Sequence, residues 1–157
     1  MQRITPFLWF NREAEEAARF YTSVFPRSRV INTTHYDEAG ARVSGMDAGS
    51  VMTVDFELDG QSFAAINGGP QFRFTEAVSF VVNCGSQEEI DYYWERLCED
   101  GDPRAQQCGW LKDRFGLSWQ VVPRELPDLL QRSPRVMEAV LQMKKIDLAA
   151  LREAAGS

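Results

Sequence analysis

Three observations along this chain of 157 residues predict an α+β fold of two tandem βαβββ modules. One pattern occurs in both halves, apolar residues fall at helical spacing after the first strand of each copy, and period-two alternation follows each helix. C-terminal helices are expected after the two modules. Module one covers about 1–75, module two about 76–125 and a helical tail about 126–157, all within one domain of ordinary size.

The repeat is seen by laying residues 6–21 over 79–94, about 73 positions apart. Phe7 then meets Phe80, Glu15 and Glu16 meet Glu88 and Glu89, and Phe20 and Tyr21 meet Tyr93 and Trp94. Each segment opens with a short apolar run and continues with helical periodicity. In the first copy Ala14, Ala17, Ala18 and Tyr21 share one face, with Glu13, Glu15 and Glu16 in the first turn, where the helix dipole favours carboxylates. Pro26 closes that helix. In the second copy Ser86 and Glu89 form a capping box, and Ile90, Tyr93, Trp94 and Leu97 supply the apolar face.

After each helix the period changes to two. A strand over 29–36 ends at a turn over 37–40. Val54, Phe56 and Leu58 then alternate with Thr53, Asp55 and Glu57, and Asp59-Gly60 is a hairpin signal before a strand over 62–66. In the second copy a turn over 113–116 leads into a strand over 117–122 that Pro123 stops. Further on, Ser133 caps a helix with Pro134 at its first position and Val136, Met137, Val140 and Leu141 as its stripe, and Asp147 caps a last helix through Leu151. This tail has two possible places, a sheet edge or a neighbouring subunit.

Composition narrows the function classes. An apolar fraction of 44% and a charged fraction of 25% are those of a folded globular protein. A net charge of −6 repels phosphate backbones and anionic lipids, so neither nucleic acid nor membrane is expected as a partner. Cys84, Cys98 and Cys108 are odd in number and form no CxxC pair, so they indicate neither a disulfide framework nor a structural zinc site. The N-terminal run is too quickly charged for a signal peptide, and no apolar run reaches membrane-span length, so a cytoplasmic location is expected.

The blocks TPFLWF, EEAARFYTSVFP, INGGPQF, SFVVNC, CGWLKDRFG and SWQVVP resemble the PhnB-like branch of the vicinal oxygen chelate superfamily, that of glyoxalases, extradiol dioxygenases and bleomycin-resistance proteins. The resemblance implies that the two modules form a curled mixed sheet around a cavity. Members of this branch are often labelled 3-demethylubiquinone-9 3-methyltransferase. The residues do not support that activity, because an S-adenosylmethionine-binding sheet needs a Gly-rich strand-to-helix turn followed by an acidic residue on the next strand. The Gly-rich stretches around 40–49 and 67–70 open no helix in this reading.

The resemblance implies a divalent metal held by His and Glu from the first and last strands of each module. Landmark matching places Pro6, Ala64, Ser79 and Gln120 at those positions, and their neighbours Thr5, Phe7, Ile66, Asn67, Phe80 and Trp119 add no imidazole or carboxylate. No metal and no cofactor are therefore predicted. His35 lies on another strand, Asp55 and Glu57 read as a solvated sheet face, and Cys84 and Cys108 read as buried, inert thiols.

What remains is a cavity of aromatic and amide groups. Alternation assigns Leu8, Phe10, Ser79, Val81, Ser118 and Gln120 to the concave side, and Phe7, Trp9, Phe80, Val82, Trp119 and Val121 to the side beneath the helices. The expected ligand residues are Phe10, Asn67, Ser79, Trp110 and Gln120, and the partner expected for them is a small organic molecule. No catalytic residue is assigned. The reading is a metal-free binding protein that forms a homodimer, as the resemblance implies. Its alternatives are a metal-dependent lyase, isomerase or dioxygenase-type enzyme using ligands such as His35, Asp55 or Glu57, and a dimeric interaction module.

Overall fold

The computed structural model describes residues 2–156, which divide into two compact units between Arg73 and Phe74. The first unit runs β1 (Phe7–Phe10), α1 (Ala14–Val24), β2 (Arg29–His35), α2 (Glu38–Ser44), β3 (Val51–Leu58) and β4 (Gln61–Asn67). Its sheet has the order β1-β4-β3-β2. β1 runs parallel to β4, and the other neighbours are antiparallel.

Ala14, Ala17, Ala18, Tyr21 and Val24 are the buried face of α1. The alanines have little side chain to hold the helix off the sheet. Tyr21 stacks on Phe56 at a centroid distance of 6.4 Å, and Phe56 stacks on Phe63 at 5.6 Å. Burial of a large apolar side chain is worth about 1.5–3 kcal/mol, so this aromatic row anchors the helix. Phe25, in extended conformation before Pro26, ends it.

The expected turn after β2 is the start of a helix. The Asp37 side chain accepts from the Gly40 amide at 2.7 Å, and Gly45, at φ 76°, terminates α2. The hairpin between β3 and β4 is as the sequence predicts, with Asp59 at φ 50° and Gly60 at φ 79°.

The second unit runs β5 (Ser79–Cys84), α3 (Gln87–Cys98), a 3-10 turn (Pro103–Ala105), β6 (Trp110–Lys112), β7 (Ser118–Pro123), α4 (Leu126–Arg132), α5 (Pro134–Leu141) and α6 (Leu148–Gly156). Its strand order is β5-β7-β6, with β5 parallel and β6 antiparallel to β7. The α+β class, the mixed sheets and the C-terminal helices agree with the sequence reading. The second meander keeps two strands rather than three, because the chain spends its length there on the 3-10 turn, which opens with Pro103 and is capped by Asp102. Ser86 accepts from the Glu89 amide at 3.2 Å, and Glu89 reaches back to the Gly85 amide at 3.1 Å, a capping box shifted by one donor.

The two copies differ by one residue in a place that matters. Residues 11–13 join β1 to α1, but only 85–86 join β5 to α3. The helices therefore superpose at about 73 positions while the strands are one step further apart. A one-residue slip turns every side chain of a strand to the other face. This reverses the expected assignment in β1: Leu8 and Phe10 are buried at 6% and 3% exposure, and Phe7 is 59% exposed.

The tail holds three helices, one more than expected, and it packs on its own unit. The Cys108 and Gly109 amides donate to the Met143 and Lys144 carbonyls, both at 2.8 Å. The Gln87 side chain donates to the Ile146 carbonyl at 3.0 Å and accepts from the Leu148 amide at 2.8 Å. Of the predicted α5 stripe, Val136 and Val140 are buried, whereas Met137 and Leu141 are exposed. Among the described residues no helix is long and apolar enough to cross a membrane.

Candidate functional site

The pleat of the second sheet sorts its residues into two faces. Leu111, Trp119 and Val121 are buried, on the side that α3 packs against. The opposite face carries two cross-strand rows, Ser79–Ser118–Lys112 and Val81–Gln120–Trp110. Three expected ligand residues, Ser79, Trp110 and Gln120, are thus brought together. The Gln120 amide donates to the Ser79 hydroxyl at 3.0 Å.

Trp110, Lys112 and Ser118 line a cavity of about 770 Å³ with Glu76, Asp102 and Arg104. Leu111, Leu141 and Cys108 supply further wall. Lys112 is ion-paired with Glu76, three residues ahead of β5. Because β7 lies between β5 and β6, this pair ties the segment ahead of β5 to the strand on the far side of β7. The hydrogen bond and charge of Lys112 hold the Glu76 carboxyl below the ordinary carboxylate range. Asp102 is lowered likewise by Arg104, whose guanidinium lies 3.2 Å away.

Ser118 is 1% exposed, and its hydroxyl has no hydrogen-bond partner among the described residues. An unsatisfied buried hydroxyl costs about 1–3 kcal/mol, and its residue forms part of the cavity wall. Sequence reasoning placed Ser118 on this face without making it a ligand residue, and it missed Lys112 and Glu76. Extending the alternation from Trp110 to Lys112 would have found the lysine, but nothing local marks Glu76.

Phe10 and Asn67 belong to the first unit, and the fold uses both. Phe10 is core, in register with Asn67. Asn67 Oδ1 accepts from the Ala14 amide at 2.8 Å, and Nδ2 donates to the Val51 carbonyl at 3.2 Å. Its side chain thereby caps α1, which lacks a cap from Glu13. A smaller hollow of about 340 Å³ in this unit is walled by Arg12, Glu15, Arg19, Met46 and Asn67, among others. His35 is exposed on edge strand β2, Asp55 is exposed, and Glu57 lies 3.5 Å from Arg29. Burial pushes the Cys84 thiol up to about 12 and the Cys98 thiol to about 11, which makes both poor nucleophiles.

The donor sets do not fit the groups that the resemblance implies. In the first unit Phe7 and Ala64 stand in register, and the Pro6 carbonyl accepts from the Ala64 amide at 3.0 Å. In the second unit Ser79 and Gln120 are bonded to each other. Among the described residues no three His, Cys, Asp or Glu side chains converge as a metal group. For S-adenosylmethionine, Gly68 and Gly69 follow β4 and lead into no helix, while α1 and α3 are entered through 11–13 and 85–86 without a Gly-rich loop.

No protein of curated function matches the chain. The family model described as 3-demethylubiquinone-9 3-methyltransferase matches residues 2–122. Among solved structures, the PhnB protein of Bacillus cereus is 39% identical over 78% of this chain and 99% of its own, with a TM-score of 0.66. A Pseudomonas aeruginosa protein is 19% identical over 78% of this chain and 98% of its own, at a TM-score of 0.57. The fosfomycin resistance protein FosX of Listeria monocytogenes is 16% identical over 83% and 98%, at 0.54. The last two share the fold alone, whereas the family match and the Bacillus similarity extend over most of the chain. The chain belongs to the 3-demethylubiquinone-9 3-methyltransferase (PhnB-like) family.

Proposed function

We propose that this protein binds a small organic molecule on the face of its second sheet opposite α3, without a metal. The observation that carries this reading is the cavity of about 770 Å³ walled by Trp110, Lys112 and Ser118. That size lies within the range of small-molecule pockets, about 300–1,000 Å³. Trp110 and Leu141 would cover a ligand's carbon skeleton, and the charged and polar groups of the wall would orient it. The metal-dependent alternative gains no support, since His35, Asp55 and Glu57 lie on strands of the first sheet and His35 and Asp55 are exposed.

The experiment is a thermal-shift screen of purified full-length protein against a varied library of small organic molecules, with hits repeated on Trp110→Ala. Binders that raise the melting temperature of the wild type and fail on the variant support the reading. Absence of any binder, or hits indifferent to Trp110, would remove it.

The same reading includes a cytoplasmic homodimer. The three cysteines are free thiols, as suits a reducing compartment. Val30 and Ile31 are 40% and 50% exposed on edge strand β2, an apolar edge of the sort that a second chain covers. Light scattering reads the mass directly: a dimer that Ile31→Glu converts to monomer supports it, and a monomeric wild type rejects it.

A further inference from the structure

We infer that the cavity is selective for arylalkyl carboxylates, taking the acid group between Lys112 and Ser118 and the ring against Trp110. This rests on the proposed binding function and narrows it to a chemical class. Ser118 offers a buried hydroxyl without a partner, and Lys112, in register with it on β6, carries an ammonium with three donors. Two donors from neighbouring strands converge best on an oxygen-rich acceptor, and hydrogen bonds to an ionised acceptor are about twice as strong as neutral ones.

The protein supplies a stand-in for such a ligand. Glu76 is paired with Lys112, yet its side chain is 62% exposed, so it can swing into water at little cost. A bound carboxylate takes its place on Lys112 and also satisfies Ser118, which Glu76 does not. Trp110 and Lys112 are two residues apart on the same face of β6, a separation of about 6.5 Å. That spacing suits an aromatic ring joined to the acid by a short spacer.

The test uses three matched probes on the full-length protein, 3-phenylpropionate, its primary amide and 3-phenylpropylamine, with affinities from calorimetry. The acid should bind at least about tenfold tighter than the amide. Lys112→Met should abolish that preference and Lys112→Arg should keep it. Glu76→Gln removes the competing carboxylate and should tighten the acid several-fold. Ser118→Ala should weaken the acid several-fold, with circular dichroism confirming that each variant is folded. If the amide or the amine binds as well as the acid, or if Glu76→Gln weakens the acid, carboxylate selectivity is overturned while the binding pocket stands. If none of the three binds the wild type, the selectivity is rejected, and the pocket falls too if the wider screen also finds no Trp110-dependent ligand.

Discussion

The indole Nε1 of Trp119 donates to Oδ2 of Asp113 at 2.9 Å, and both residues are buried. The other carboxylate oxygen accepts from the Phe115 amide at 2.8 Å and the Leu117 amide at 3.1 Å. One carboxylate thus closes the turn between β6 and β7 and ties it to the core beneath α3. The turn sets the register that places Lys112 opposite Ser118, so the geometry of the candidate site depends on it.

Asp113→Asn turns one acceptor into a donor facing other donors, so a loss of about 1–3 kcal/mol in unfolding free energy is expected. Trp119→Phe removes the indole side of the same contact. Urea denaturation of both single variants and the double variant should show the double costing less than the sum. Strict additivity would mean that the two residues act separately.

Asn67 is a tertiary cap. Replacing it with alanine strands the Ala14 amide and the Val51 carbonyl, at an expected cost of about 1–3 kcal/mol. Hydrogen exchange should show the first turn of α1 losing protection before the β4 ladder does. Equal loss in both would argue against a capping role.

A Cβ on Gly68 would lie 2.1 Å from the Trp9 ring. That ring cannot step aside freely, since Nε1 donates to the Gly69 carbonyl at 3.0 Å and the ring forms a T-shaped pair with Phe72 at a centroid distance of 4.9 Å. Gly68→Ala should therefore cost about 1–3 kcal/mol by overpacking, with altered tryptophan fluorescence. An unchanged denaturation midpoint would show the loop over 68–72 to be slack.

Alkaline pH should destabilise the fold through Cys84, whose thiol is raised from 9.0 to about 12 chiefly by burial. The folded state holds its proton more tightly than the unfolded chain. Stability from this group is thus complete below about pH 9 and is lost as pH rises toward 12. Cys84→Ala should lower stability at pH 7.5 by leaving a small void, yet show a flatter decline between pH 8.5 and 10.5. Parallel curves for the variant and the wild type would assign the alkaline loss to other groups.

Much of the fold was legible because its signals are local. The period-3.6 spacing of Ala14, Ala17, Ala18 and Tyr21, the cap at Ser86 and the Asp59-Gly60 turn each depend on neighbours within a few residues. The helix after Asp37 was missed because the capping aspartate alone reads equally well as a turn, and only Gly45 marks the far end. For the site, alternation brought Ser79 and Gln120 to one face, and the register of β6 on β7 added Trp110. Alternation misassigned Phe10 because a single extra residue in the connection to α1 reverses the strand.

The sequence by itself determined the two copies, their helices, the hairpin, the absence of His and carboxylate at the mapped metal positions, and the family. The tertiary structure decided that Asn67 serves α1, that Ser118 is buried without a partner, and that Lys112 meets Glu76. Periodicity and turn chemistry are written along the chain. A contact between Glu76 and a strand that begins at Trp110 depends on strand order and register, and these are set by the packing of the whole unit.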